Sequence, residues 1–332
     1  MQRDFGKRRS LNTVTHNVLV FPNQLMPTLR QFQTVACATA TALLFVSTSP
    51  AQDLIKPVGD VVEVAAGFAF TEGPAWDPSD SSLYFTDIPN TTIYQLDASG
   101  KLSKFTTDSK HTNGLLITSD GRLLGCQMDG QVVQYDKATG NATVLANKFD
   151  GTRFNAPNDL IIDRQGGIYF TDPLFRAPMP LPQGIQAVYY ISQSGEVTRV
   201  TESIAAPNGI GLSPDGKRLY VCPSQQSEML VYDVAAGGKL ENGRTFCKVK
   251  QPAGKSDTGA DGIVLDQEGN VYITTHLGVE IFSPAGKSLG LVEFPQQPAN
   301  VTLGGKDGKT MYVTARTALY KVTMPRSGLK PN

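Results

Sequence analysis

The feature that most constrains this chain is a unit that recurs six times. In its plainest copy, residues 156–172 read A-P-N-D-L-I-I-D-R-Q-G-G-I-Y-F-T-D. A polar residue, Asn158, precedes an apolar run at 160–162. A glycine-bearing turn follows, and a second run, 168–170, ends on Thr171-Asp172. Two short apolar runs split by such a turn read as a β-hairpin. The other copies begin at Glu72, Asn113, Asn208, Asp261 and Asn300, so the anchors are spaced 41, 45, 50, 53 and 39 residues apart. A period of roughly 40–50 residues with several short strands per unit is the signature of a β-propeller. A β-helix needs a shorter period, and a sandwich does not return to one motif six times.

Each copy continues into a third apolar run, such as 92–96, 131–135, 187–191, 229–232 or 279–282. Most then add a fourth, such as 102–105, 142–145 or 197–200. The expected fold is all-β: a six-bladed propeller of four-stranded antiparallel blades. The last copy has only three strands. Residues 61–64 (V-V-E-V) are available to pair with it and close the ring, which removes an open sheet edge. Residues 53–332 are therefore expected to form one domain. The loop Met179-Pro180-Leu181-Pro182 is expected to wall one face.

The N-terminus follows another logic. Residues 26–52 carry Arg30, an apolar stretch at 35–46 and the small-residue end Ser49-Pro50-Ala51. That layout is a secretory signal peptide, with Met26 as the expected start and residues 1–25 as an upstream extension. Export to the periplasm or the outside is expected. Residues 1–52 carry five of the 30 basic and one of the 30 acidic residues, leaving a net charge of about −4. No Lys/Arg block survives, which argues against a nucleic-acid partner. No second run has membrane-spanning length, so no membrane partner is expected once the leader is gone. Cys126, Cys222 and Cys247 allow one disulfide at most, and no disulfide framework. Oligomeric state is not legible.

In a propeller the first strand of each blade lines the central channel. Glu72, Asn113, Asn158, Asn208, Asp261 and Asn300 should therefore converge near the axis. All six carry oxygen acceptors, and none is His or Cys. Asn-Gly is itself a strong turn dipeptide, yet each copy has its own glycine turn further on, and Glu72 fits no turn preference. Buried carboxylates without partners are costly, so such a ring calls for a cation. Oxygen-only ligands favour Ca2+, or Mg2+ and Mn2+, over Zn2+. Competing motifs fit less well. Gly286-Lys-Ser-Leu-Gly290 has the spacing of a nucleophile elbow but lies between two blade strands. Residues 304–310 fall one short of a Walker loop. His111 and His276 are each placed to face the channel mouth.

In combination, Glu72-Gly-Pro-Ala-Trp, Arg153-Phe-Asn-Ala-Pro-Asn158-Asp, Pro207-Asn208-Gly and Ala260-Asp261-Gly-Ile resemble the gluconolactonase / senescence-marker-protein / luciferin-regenerating-enzyme family of six-bladed propellers. Gln297-Pro-Ala-Asn300-Val is similar to its bacterial gluconolactonase branch. The resemblance runs from about residue 60 to 323. It implies a divalent ion, usually Ca2+, held by Glu72, Asn158, Asn208 and Asp261, with Asn113 beside the substrate. Members with senescence-marker sequences carry an arginine two residues before the second ligand. Here that position is Ala156, and Arg153, further back, is the candidate substrate contact. The implied reaction is hydrolysis of a small-molecule sugar lactone to its hydroxy acid, with the ion as Lewis acid. Asp261 is the first candidate general base and His276 the second. The residues alone leave open a phosphotriesterase-type hydrolase on the same metal, and a non-catalytic propeller stabilised by Ca2+.

Overall fold

Five stretches of the chain fold back on themselves three times and a sixth does so twice, with short turns, many of them bearing glycine or Asp/Asn, between the apolar runs. The computed structural model describes residues 54–332 apart from residue 203. The expected leader at 26–52 and the extension ahead of it lie outside the described residues. The first blade contains Thr71–Asp77, Ser82–Asp87, Thr92–Leu96 and Leu102–Thr106. The second contains Thr112–Ile117, Leu123–Gln127, Gln131–Tyr135 and Ala142–Ala146. The third has Leu160–Ile162, Ile168–Asp172, Ala187–Ile191 and Val197–Glu202. The fourth has Pro207–Leu212, Arg218–Pro223, Glu228–Val234 and Leu240–Lys248. The fifth has Ile263–Leu265, Val271–Thr275, Gly278–Phe282 and Ser288–Val292.

The sixth blade takes Asn300–Gly304, Thr310–Ala315 and Ala318–Thr323 from the C-terminal side and Val62–Ala66 from the N-terminal side. Val62 lies opposite Lys321 and Ala66 opposite Ala318, antiparallel. The strand foreseen at 61–64 thus starts one residue later and ends two residues later.

Both faces of every blade are covered by its neighbours, so the strands read as continuous apolar runs and not as alternating ones. Successive side chains go to successive seams. Leu123 packs between blades one and two, Leu124 between two and three. Phe170 packs between two and three, Tyr169 between three and four. The seams between blades four and five, five and six, and six and one each hold a further cluster.

The seam where the ring closes is sealed by Trp76, which stacks on Tyr312 with centroids 5.6 Å apart. Trp76 lies against Gly304, where a Cβ would be pushed into the indole. Trp76→Ala is expected to cost about 3 kcal/mol in urea denaturation, from lost burial and an open seam. A cost below about 1 kcal/mol would contradict that packing role.

The nucleophile-elbow lookalike is a hairpin turn. Gly286, at φ 76°, links Gly278–Phe282 to Ser288–Val292, and no helix follows. Cys126, Cys222 and Cys247 are buried and free. Among the described residues no helix is long and apolar enough to cross a membrane. One end of the axis holds a cavity of about 610 Å3 with aliphatic walls, including Leu116, Ile162, Ile210 and Leu265. The converging acids lie at the other end.

Candidate functional site

The anchors reach the axis because the sheet ladder breaks at each of them. In blades one, two and four the register shifts between Glu72 and Ala75, between Thr112 and Leu115, and between Pro207 and Ile210. Such bulges lift a side chain out of the pleat and re-aim it. In blades three and five the inner strand starts only two residues after Asn158 and Asp261. Glycine follows four of the anchors for a packing reason. A Cβ on Gly73 would come within 2.9 Å of Leu115 N, and one on Gly114 within 2.8 Å of Asn158 O. One on Gly262 would come within 2.7 Å of Asn300 Cα. Each blade's glycine thus lets the next blade's anchor segment lie against it.

Glu72, Asn113, Asn158, Asn208 and Asp261 line one pocket of about 370 Å3. Glu72, Asn113, Asn158 and Asn208 are buried, and Asp261 is partly open to the pocket. The sixth anchor, Asn300, is committed elsewhere. Its Oδ1 accepts the Val301 N–H at 2.8 Å, and its side chain helps hold down the Glu72 and Asp159 acids. Asn208 donates through Nδ2 to Ser224 Oγ at 3.1 Å, and Ser224 donates to Ala260 O at 2.8 Å. The hydroxyl proton is used on that carbonyl, so the amide nitrogen must face Ser224, and Asn208 Oδ1 remains free.

The electrostatics are those of acids held together out of water. Burial raises the Glu72 carboxyl, opposed by the Gly73 N–H at 2.9 Å, by Asn300 and by the Arg316 charge. Burial raises Asp261 well above the usual carboxylate range, and the Glu72 charge adds to it. Asp159 is pushed up to about 8 by burial and then by Glu72. Arg316, whose guanidinium lies 5.2 Å over the Phe70 ring, offsets part of this at Glu72 and Asp261.

Asp261 Oδ1 is buried and has no hydrogen-bond partner among the described residues. An orphaned carboxylate oxygen between amide oxygens and a second acid fits a hard cation. Among the described residues no three His, Cys, Asp or Glu side chains converge as a chelating group. A cation here would therefore depend on Asn158 and Asn208 as much as on the two acids.

Two expected site residues are not brought to the pocket. Arg153 turns back on its own loop, donating from Nε to Phe154 O at 2.9 Å and from Nη2 to Asn155 O at 3.1 Å. His276 is held by Asp257, Nε2 to Oδ1 at 2.7 Å, away from the pocket lining. His111 likewise pairs with Asp129 at 3.0 Å. Met179 to Pro182, expected to wall one face, do not line this pocket; Phe175 and Arg176, a few residues earlier, do. Met179 is exposed.

Sequence reasoning missed Asp159, Phe175 and Arg176. The Thr-Asp ends of the second strands hold the anchor loops. Asp172 accepts the N–H groups of Asn155 and Ala156 at 2.8 Å each, just ahead of Asn158. Asp87 accepts those of Ala69 and Phe70, just ahead of Glu72. Thr86 Oγ1 donates to Asn113 O at 3.0 Å, across to the next blade. The repeated F-T-D triplet at 85–87 and 170–172 was the signal available for this.

A six-bladed propeller with acids and amides converging at one end of its axis defines the class. The chain belongs to the SMP-30/gluconolactonase/LRE-like family, whose profile matches residues 70–317. It is 28% identical over 300 residues to a gluconolactonase of Zymomonas mobilis, covering 82% of this chain and 84% of that protein. It is 26% identical over 249 residues to a pentonolactonase of Haloferax volcanii, covering 73% and 80%. The solved structure of a gluconolactonase from Xanthomonas campestris superposes with a TM-score of 0.74 at 25% identity, covering 82% of this chain and 96% of that one.

Proposed function

We propose that this protein hydrolyses a lactone at the axial pocket with the help of a bound divalent cation, Ca2+ first among candidates. The observation that carries this reading is the orphaned Asp261 Oδ1 in a pocket shared with Glu72, Asn113, Asn158 and Asn208. The lactonase names of the relatives support the reaction class. Glu72, Asn158, Asn208 and Asp261 would hold the cation, which when bound supplies Lewis-acid polarisation of the ester carbonyl. Asp261 takes a proton from the attacking water as its oxygen bonds to the carbonyl carbon. The ring C–O bond then breaks, and the departing alkoxide receives that proton, so lactone plus water gives the hydroxy acid. Asn113, on the pocket floor, orients the ring. His276, paired with Asp257 outside the pocket, has no part in this scheme. The direct test is acid release from a lactone panel before and after chelation. Activity that survives complete removal of divalent ions would overturn the cation's role.

A second prediction concerns stability and pH. Asp159 ionises at about 8 in the folded protein against an ordinary value of 3.8, and Glu72 and Asp261 are raised too. Between about pH 4 and pH 8 the folded state therefore keeps protons that the unfolded chain has released. Stability of the chelated protein falls with rising pH across that window and levels off above it. Thermal unfolding in EDTA is expected to show a Tm that drops from about pH 5 to about pH 8. Added Ca2+ should restore the Tm at the upper end through binding to the folded state alone. A Tm in EDTA that rises over the same range would contradict the buried-acid account.

A further inference from the structure

The floor of the axial pocket is polar, but its walls are not. Above Glu72, Asn113, Asn158, Asn208 and Asp261, the lining consists of Phe70, Ile88, Pro89, Met128, Phe175 and Arg176. Ile88 and Met128 are buried with Ala156 in one apolar cluster, against which Phe70 and Phe175 pack. That cluster gathers residues from the loops of the first three blades, so it is a built surface and not a scatter of exposed side chains. Arg176 is the only wall residue with a side-chain hydrogen-bond donor, and no wall residue carries a side-chain hydroxyl, amide or carboxylate.

A sugar lactone carries hydroxyl groups on most ring carbons. Each one taken out of water needs a partner or costs free energy. The floor groups are already assigned to the cation, the carbonyl and the orientation of the ring. Hydroxyls on the side of the ring facing the walls would meet carbon everywhere except at the Arg176 guanidinium. An alkyl or aryl group there gains burial against Phe, Met, Ile and Pro.

We infer that the substrate of this site is a lactone bearing an apolar substituent, alkyl or aryl, in place of the hydroxyl groups of a sugar lactone. The inference rests on the lactonase reading above and narrows it to a substrate class. Phe175 and Met128 are then specificity-determining residues, acting through contact with the substituent.

The experiment compares kcat/KM for glucono-δ-lactone with that for a δ-lactone carrying a hexyl or phenyl group, using the full protein supplied with Ca2+. The substituted lactones are expected to be preferred by between about tenfold and a hundredfold, the range a hydrophobic pocket can deliver. In Phe175→Ala the preference should fall toward unity, chiefly through KM. Phe175→Leu should restore most of it, which separates loss of apolar contact from general disturbance of the loop. Equal or better turnover of glucono-δ-lactone would overturn the inference and leave the lactonase reading standing. If no lactone is opened, the lactonase reading fails. Preference is then read from thermal-shift binding of the matching hexyl-substituted and hydroxylated lactams, and equal or inverted shifts overturn the inference in that case too.

Discussion

Asp261→Asn is expected to lower lactone turnover by about 10³-fold in kcat/KM while leaving the fold intact. The amide keeps the shape of the side chain but cannot take a proton, and it removes one of the two carboxylates that line the pocket. Its effect on stability should have the opposite sign. The native carboxyl is raised by burial and by the Glu72 charge, so in chelated protein near pH 8 keeping this acid in the folded state is a cost that the amide removes. The variant should therefore melt higher than wild type in EDTA and respond less to Ca2+. Glu72→Gln is expected to follow the same pattern. Full activity in the double variant would sink the assignment of both residues. A variant that was inactive and also less stable in EDTA would point to a structural role for Asp261.

The second large effect comes from a residue with no side chain. Gly209 follows Asn208, and its N–H donates to Asp261 O at 3.0 Å, joining blade four to blade five at the axis. A Cβ there would run into that carbonyl and come within 2.9 Å of the Gly262 C and Cα. These are backbone atoms of the packed segment that leads into Ile263–Leu265 and cannot turn aside as a side-chain tip can. Gly209→Ala is expected to cost about 3 kcal/mol and lower Tm by roughly 6–12 °C. It also shifts Asn208 and Asp261 relative to each other, so turnover should fall by about 10²-fold in the protein that remains folded. The measurements are thermal unfolding and kcat at a temperature where both forms are folded. Unchanged values would mean that the blades do not close as tightly as described. Gly209 has no special φ, so its importance comes from the neighbouring blade alone.

That contrast runs through the molecule. Asn158 and the apolar runs after it could be read because each blade must solve the same problem, and six solutions print one pattern on the chain. The period, the blade count and the strand that closes the ring follow from local alternation of apolar runs and turns. The five acids and amides that line the axial pocket were legible for the same reason: a residue at one fixed offset in every unit goes to one place in a ring. Asn300 shows the limit. It sits at the same offset as the others, yet its oxygen is used by Val301, a choice that no spacing rule expresses.

Arg153 and His276 failed to reach the pocket because a loop side chain goes where its partners are. Arg153 found the carbonyls of its own turn, and His276 found Asp257, 19 residues away. Asp159 escaped notice because it occupies the position that is glycine in four other copies. Only the packing shows that a carboxylate there projects beside Gly114 and toward Glu72. Phe175 and Arg176 belong to a loop whose course is set by distant contacts, such as those of Gln183 with Asn155 and with the carbonyls of Thr152 and Arg153.

The sequence by itself therefore determined the six-bladed fold and the ring of oxygen-bearing side chains, because both repeat. The tertiary structure alone decided which of those side chains stay free and what walls surround them. Those outcomes depend on hydrogen bonds and packing between segments far apart in the chain, and each occurs only once.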